Sequence, residues 1–203
     1  MVAGLDEVGR GSLAGPVIAA AVILKPGARL VGVNDSKLLS AARREALVRT
    51  ILRGCEAWGL GAASAEEIDR VNILCATRLA MKRAMEALAV RPDHLLIDAV
   101  RLPDVEVPQV SLIGGDRLSL SIASASIVAK VVRDKVMRFY DRLHPGYEFA
   151  SHKGYGTARH LTKIVERGAS PIHRKSFRGV MPVSRLSFSY DGFSIGAVRA
   201  EEV

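Results

Sequence analysis

Apolar positions along the chain fall into short continuous runs and longer periodic stretches, divided by glycine, proline and asparagine. Val17 to Leu24 is an unbroken run of alanine and branched aliphatic residues, the pattern of a strand covered on both faces. Val2 to Asp6 reads as a shorter strand before it, and the glycine-rich turn Gly9 to Pro16 joins the two as a hairpin. Cys55 to Ala63, built of aromatic and small residues, fits a third strand. His94 to Ile97 and Gln109 to Ile113 are two further short strands. Ser40 is placed to cap a helix running to about Arg53. Glu66 to Leu88 carries Leu74, Met81, Met85 and Leu88 near helical spacing and predicts one long helix, stopped by Arg91-Pro92-Asp93. Ile122 to Leu143 predicts another, ended by His144-Pro145-Gly146. Thr157 to Arg167 predicts the last, closed by Gly168.

Three strands, a helical stretch and then strand–helix alternation predict an α/β sheet with antiparallel and parallel parts. A length of 203 residues suits one domain, or one domain with an appendage. Internal repeats and low-complexity linkers are absent.

Charge narrows the class of partner. Lys and Arg number 29 against 21 Asp and Glu, a net charge of +8 and a pI near 9.9. Nucleic acid is the leading partner for such a chain and an anionic membrane surface the second, although basic charge also serves solubility. The longest apolar run, Leu13 to Leu24, contains Gly15-Pro16 and is too short to span a bilayer. The first residues lack a basic stretch and carry acids at positions 6 and 7, which argues against a secretory leader. Cys55 and Cys75 show no metal-ligand spacing and read as small apolar residues in a reducing compartment, so a cytoplasmic location is expected.

The candidate chemistry lies in the acids. Asp6, Asp98 and Asp116 each fall at or just after the carboxyl end of a predicted strand, the edge where open α/β sheets bind ligands. Glu7 adjoins Asp6, and neighbouring strand residues point to opposite faces, so one carboxylate is expected inward and the other toward the loop rim. All-oxygen donors suit Mg²⁺ or Mn²⁺, and two such ions can activate water and stabilise a leaving oxygen in phosphodiester cleavage. Taken singly, each Asp reads as an ordinary turn or cap residue; it is the set, together with the basic charge, that points to a metal site. Clusters of His or Cys that would suit zinc are absent.

The glycine loop Gly9-Arg10-Gly11-Ser12-Leu13-Ala14-Gly15 matches neither a dinucleotide fingerprint nor a P-loop. It either brings backbone amides close to a sugar-phosphate or is a hairpin turn needing positive φ. Asp134 and Arg138 have the spacing of an ion pair on one helix face, a reading preferred over metal ligation by Asp134. Ser124 and Ser126 cap a helix start or offer hydroxyls to a bound backbone. Between residues 151 and 178 the bases are Lys153, Arg159, Lys163, Arg167, Arg174, Lys175 and Arg178, with Glu166 the lone acid. Arg159, Lys163 and Arg167 share one helix face, so this segment is the candidate for phosphate contact. His152, His160 and His173 are read individually as structural.

Asp6-Glu7-Val8-Gly9-Arg10-Gly11, Asn34-Asp35-Ser36-Lys37, Ile97-Asp98-Ala99, Gly115-Asp116, Ser124 to Asp134, His152-Lys153-Gly154-Tyr155-Gly156-Thr157 and Pro171-Ile172-His173-Arg174 together resemble bacterial ribonuclease HII. These motifs occur in the family's order and cover most of the chain. The resemblance implies a ribonuclease H-like fold, a mixed five-stranded sheet flanked by helices. It implies a metal-dependent endonuclease that hydrolyses the RNA strand of RNA–DNA hybrids. It further implies cutting on the 5′ side of a lone ribonucleotide in duplex DNA, leaving 3′-hydroxyl and 5′-phosphate ends. By the family's pattern Asp6, Glu7, Asp98 and Asp116 are the catalytic, metal-binding acids, with Mg²⁺ or Mn²⁺, two ions in the substrate complex. Gly9, Arg10 and Gly11 correspond to the loop that reads the ribose 2′-hydroxyl, Tyr155 to a tyrosine against the junction sugar, and Lys37 to a phosphate contact.

The pattern ends near Pro182. Residues 1–183 are expected to form the catalytic domain, with a basic C-terminal helical segment, and 184–203 a tail of unassigned role. In that tail Leu186, Phe188 and Tyr190 alternate with Ser187 and Ser189, the period of a half-buried strand. Two alternatives stay open at this point. One is a non-catalytic nucleic-acid-binding module of the same fold, against which the four acids argue because they would repel phosphate. The other is a ribonuclease H-like nuclease of different specificity, against which the Gly-Arg-Gly loop and Tyr155 argue.

Overall fold

The computed structural model describes residues 1–33 and 39–181. Five strands form one sheet: β1 (Val2–Val8), β2 (Val17–Leu24), β3 (Cys55–Ala63), β4 (His94–Asp98) and β5 (Gln109–Leu112), in the order β3-β2-β1-β4-β5. The first three run antiparallel; β4 is parallel to β1, and β5 to β4. The expected hairpin and the mixed sheet are both present. Leu5 pairs with Ile97, so Asp98, the last residue of β4, lies beside Asp6, two residues before the end of β1.

Helices cover both faces. On one lie α1 (Ala41–Gly54) and α5 (Leu120–Leu143); on the other lie α2 (Ala65–Val71) and α3 (Ile73–Glu86). The short turns α4 (Gly115–Leu118) and α6 (Phe149–His152) and the helix α7 (Ala158–Arg167) complete the set. β2 shows why its sequence is continuously apolar. Ala19, Ala21 and Ile23 join the core beneath α3, while Ala20 and Val22 join Leu47, Ile51, Ala125 and Ile127 on the opposite face. Among the described residues no helix is long and apolar enough to cross a membrane.

Small residues let the layers approach closely. A Cβ on Gly61 of β3 would lie 2.1 Å from the Ala80 carbonyl oxygen, and one on Gly4 of β1 would lie 2.2 Å from the Ser121 carbonyl carbon. Both obstacles are backbone, which cannot swing aside. Gly61→Ala is therefore expected to destabilise the fold by about 3 kcal/mol through overpacking. A urea unfolding curve checks this; an unchanged midpoint would show that α3 shifts outward without penalty.

Two expected elements differ. The long helix over Glu66 to Leu88 is broken at Asn72, whose φ is +69°. The Asn72 Oδ1 accepts from the amides of Leu74 and Cys75 at 3.0 and 3.1 Å, so its side chain starts a new helix where the apolar spacing alone continues the old one. The following helix begins at Leu120, capped by Ser119, and neither Ser124 nor Ser126 caps it. The expected Asp134–Arg138 pair is also replaced. Asp134 binds Lys130 at 2.8 Å and Arg44 of α1 at 3.5 Å, while Arg138 binds Glu45 at 2.9 Å. Lys130 has the same helical spacing on the other side of Asp134, and α1 supplies Arg44 to Asp134 and Glu45 to Arg138, so the expected pair is not made.

Candidate active site

The carboxyl ends of β1 and β4 open into a pocket lined by Asp6, Glu7, Asp98, Ser126, Lys130, Tyr155 and the loop Gly9-Arg10-Gly11. Asp6 is buried, 5% exposed, and its Oδ1 accepts the Glu7 amide at 2.7 Å. Burial above all, then the charges of Glu7 and Asp98, hold its carboxyl well above the usual carboxylate range, against a hydrogen bond from Ser126. Glu7 is raised as well, chiefly by burial; Arg10, 3.4 Å away, opposes and Asp98 adds to the rise. The Glu7 Oε2 is buried without a hydrogen-bond partner. Asp6 is buried and Glu7 half-buried, yet both line the one pocket.

Asp98 is oriented by the Gly115 amide, which donates to its Oδ1 at 2.7 Å. Gly114, at φ +68°, turns the chain from β5 into α4 to deliver that amide. Asp116 is buried, the next residue along, but it does not line the pocket. The structure thus brings Asp6, Glu7 and Asp98 together and sets Asp116 behind Gly115. Among the described residues no three acids, His or Cys already stand as a finished metal cage. The donor set nevertheless fits a hard divalent cation, which takes few carboxylates and completes its shell with water and substrate oxygens. An unpartnered buried Glu7 oxygen and crowded like charges are what such an ion relieves.

The loop beside these acids is tied to two distant segments. The Leu13 amide donates to the Gly154 carbonyl at 2.8 Å, the Gly15 amide to Ile172 at 2.8 Å, and the Arg174 amide to Leu13 at 2.9 Å. Bridges pair Ser12 with Tyr155 and Ala14 with His173. Beneath the loop, Arg133 and Arg174 are fully buried. Arg174 was expected at a phosphate; it is instead an interior group, pushed down to about 9 by burial and by the charge of Arg133. Tyr155 stands at the rim with Arg133 5.5 Å and Lys130 6.0 Å from its ring centre. Arg159 pairs with Glu148 and Lys163 with Glu166, both away from the pocket. Lys37 lies outside the described residues, as does the 184–203 tail.

The ribonuclease HII family model matches residues 3–180. The chain belongs to the ribonuclease HII family. It is 58% identical over 180 residues to ribonuclease HII of Geobacter metallireducens, covering 88% of this chain and 84% of that protein. It is 53% identical over 177 residues to that of Moorella thermoacetica, covering 87% and 86%. Ribonuclease H2 from Pyrococcus horikoshii superposes with a TM-score of 0.75 at 23% identity, covering 88% of this chain and 94% of that one. Bst-RNase HIII in complex with Mn²⁺ gives 0.64 at 19%, covering 88% and 67%. The fold is ribonuclease H-like, as expected. As a member of this family the protein is a ribonuclease H, a nuclease that hydrolyses phosphodiester bonds of RNA paired with DNA.

His152 and His173 fall in the ribonuclease HII motifs and His160 between them, and the structure joins these three histidines read individually as structural. His152 and His160 stack with ring centres 4.2 Å apart, and His160 Nε2 lies 3.0 Å from His173 Nε2. The Ser170 amide donates to His173 Nδ1 at 2.9 Å, so His173 carries its proton on Nε2 and gives it to His160. His160 Nδ1 then donates to the Tyr155 carbonyl at 2.9 Å. Every ring is neutral in this relay, and a second proton on His173 would face the Ser170 amide.

Burial and the neighbouring His160 push His173 down from 6.5 to about 4. The unfolded chain takes up this proton first as pH falls, so stability is complete above about 6.5 and declines toward pH 4. The loss is expected to be about 2 kcal/mol at pH 5 and about 3 kcal/mol at pH 4. Urea midpoints at pH 7.5 and 5 check it, and His173→Asn should flatten the dependence.

Proposed function

We propose that this ribonuclease HII cuts the RNA strand of RNA–DNA hybrids and also the 5′ side of a single ribonucleotide within duplex DNA, leaving 3′-hydroxyl and 5′-phosphate ends. One observation carries the reading: the carboxylates, the Gly9-Arg10-Gly11 loop and Tyr155 line a single pocket. The backbone amides of Arg10 and Gly11 make no hydrogen bond among the described residues, which leaves donors for a ribose hydroxyl beside the acids.

Asp6, Glu7 and Asp98 would hold Mg²⁺ or Mn²⁺, two ions in the substrate complex, with Asp116 as the fourth acid. The Mn²⁺ complex of Bst-RNase HIII supports that choice. When bound, such ions supply Lewis acidity toward the attacking water and the leaving oxygen. The protein's own groups orient the reactants. Ser126 and the Glu7 amide fix Asp6, the Gly115 amide fixes Asp98, and Arg10 restrains Glu7. Tyr155 offers a ring face to the sugar on one side of the cut. Arg159 and Lys163, together with Lys37, serve as phosphate contacts. For the first two, substrate phosphates replace Glu148 and Glu166 as partners. Residues 1–183 act as the catalytic unit, in the cytoplasm.

The test is a DNA duplex with one internal ribonucleotide, incubated with and without Mg²⁺ and read on a sequencing gel. One cut on the 5′ side of the ribonucleotide, dependent on the ion, is expected. Cleavage confined to long hybrids would overturn the single-ribonucleotide activity.

A further inference from the structure

Arg133 and Arg174 have a bonding pattern unusual for buried cations. Arg133 Nε donates to the Pro16 carbonyl at 3.0 Å, Nη1 to Lys153 at 2.9 Å and Nη2 to Ala14 at 3.2 Å. Arg174 Nε and Nη2 donate to the Gly15 carbonyl at 3.0 and 2.9 Å, and Nη1 to Arg10 at 2.9 Å. Every acceptor is a backbone carbonyl. Among the described residues no carboxylate hydrogen-bonds to either group, although both are 0% exposed and close enough to disfavour each other. Asp134 and Asp69 act on Arg133 and Arg174 only through space, and buried charges with no hydrogen-bonded counter-ion are a poor source of stability that apolar side chains of that volume would replace. A planar fork does something apolar groups cannot: it sets the direction of several carbonyls at once.

That direction matters at the pocket. In a trans peptide the C=O and the following N–H point opposite ways. With the Arg10 carbonyl drawn inward to Arg174, the Gly11 amide is turned outward. Arg133 reaches the other half of the site through the Lys153 carbonyl, two residues before Tyr155, and its guanidinium lies within cation–π distance of that ring. Gly9 is the counterpart: a Cβ there would sit 2.1 Å from Arg133 Nε.

We propose that Arg133 and Arg174 are positioning residues for ribonucleotide selection, two forks that hold the outward Gly11 amide and the Tyr155 ring at a fixed separation. The proposal rests on the function proposed above. Arg133→Lys and Arg174→Lys keep charge and stem but lose the fork. Each is compared with wild type and Tyr155→Ala on a single-ribonucleotide duplex and on a uniform hybrid, with amide hydrogen exchange of residues 9–16. The ratio of kcat/KM on the two substrates should fall about 10-fold or more, the scale of an ångström-level misplacement. Loop amides should exchange faster while α5 and β1 stay protected. A purely structural role would lower both activities in proportion, and an unchanged ratio overturns the proposal.

Wild-type protein supplies an arm independent of those variants' folding. Without divalent ions, the Gly11 amide should gain protection on adding the ribonucleotide duplex and not on adding the all-DNA duplex of the same sequence. If Tyr155→Ala is selective but Gly11 gains no such protection, the positioning proposal alone fails. If Tyr155→Ala and both Lys variants lose the two substrates equally, the assignment of the loop and Tyr155 to ribonucleotide selection fails with it.

Discussion

Asp98→Asn is expected to lower cleavage of every substrate by about 10³-fold or more while leaving the thermal midpoint in place. Asparagine keeps the shape of aspartate, and its Oδ1 still accepts the Gly115 amide, so β4 and α4 stay joined. What disappears is one negative charge from a set in which Asp6 and Glu7 are already pushed upward by burial and by the charge of Asp98. Chelation should abolish wild-type activity, and Mg²⁺ or Mn²⁺ should restore it. Asp134→Asn is the matched comparison, because Asp134 does not line the pocket and is paired with Lys130 and Arg44. Full activity in excess EDTA, or inactivity confined to Asp134→Asn, would remove the carboxylate pocket from the mechanism.

Tyr155→Ala is expected to slow cleavage at a single ribonucleotide by about 10- to 100-fold and cleavage of a uniform hybrid much less. The backbone of residue 155 is held independently of its ring, by the pairing with Ser12 and by His160 on its carbonyl. Truncation therefore removes the sugar-facing surface and leaves the loop standing. Tyr155→Phe should fall between, keeping the ring and losing the hydroxyl. Equal losses on both substrates would assign Tyr155 to general support of the pocket.

Strands were legible where apolar runs were short and bounded by turn residues, as with Val17 to Leu24 and His94 to Ile97. The acids Asp6, Glu7 and Asp98 were legible because strand ends in such sheets converge on one edge. Asn72 was not, since the helical period of apolar residues passes through it and only its own side chain interrupts the backbone pattern. Nor were Arg133 and Arg174. An arginine reads as surface charge, and the carbonyls that bury these two come mostly from residues more than a hundred positions away. Asp134 drew the wrong partner because Lys130 and Arg138 both stand four residues from it and spacing alone does not choose between them; its second cation belongs to another helix.

The ties between the Gly9–Pro16 loop and Arg174 span 159 to 164 residues. In a chain made from its amino terminus, the carboxylates of β1 emerge at once, whereas the groups that shape the loop beside them emerge near the end. At bacterial elongation speeds this gap lasts on the order of ten seconds. Throughout it a nascent chain carries acids without the surface that aims them. The loop's final shape therefore arrives late in synthesis, once residue 174 has emerged.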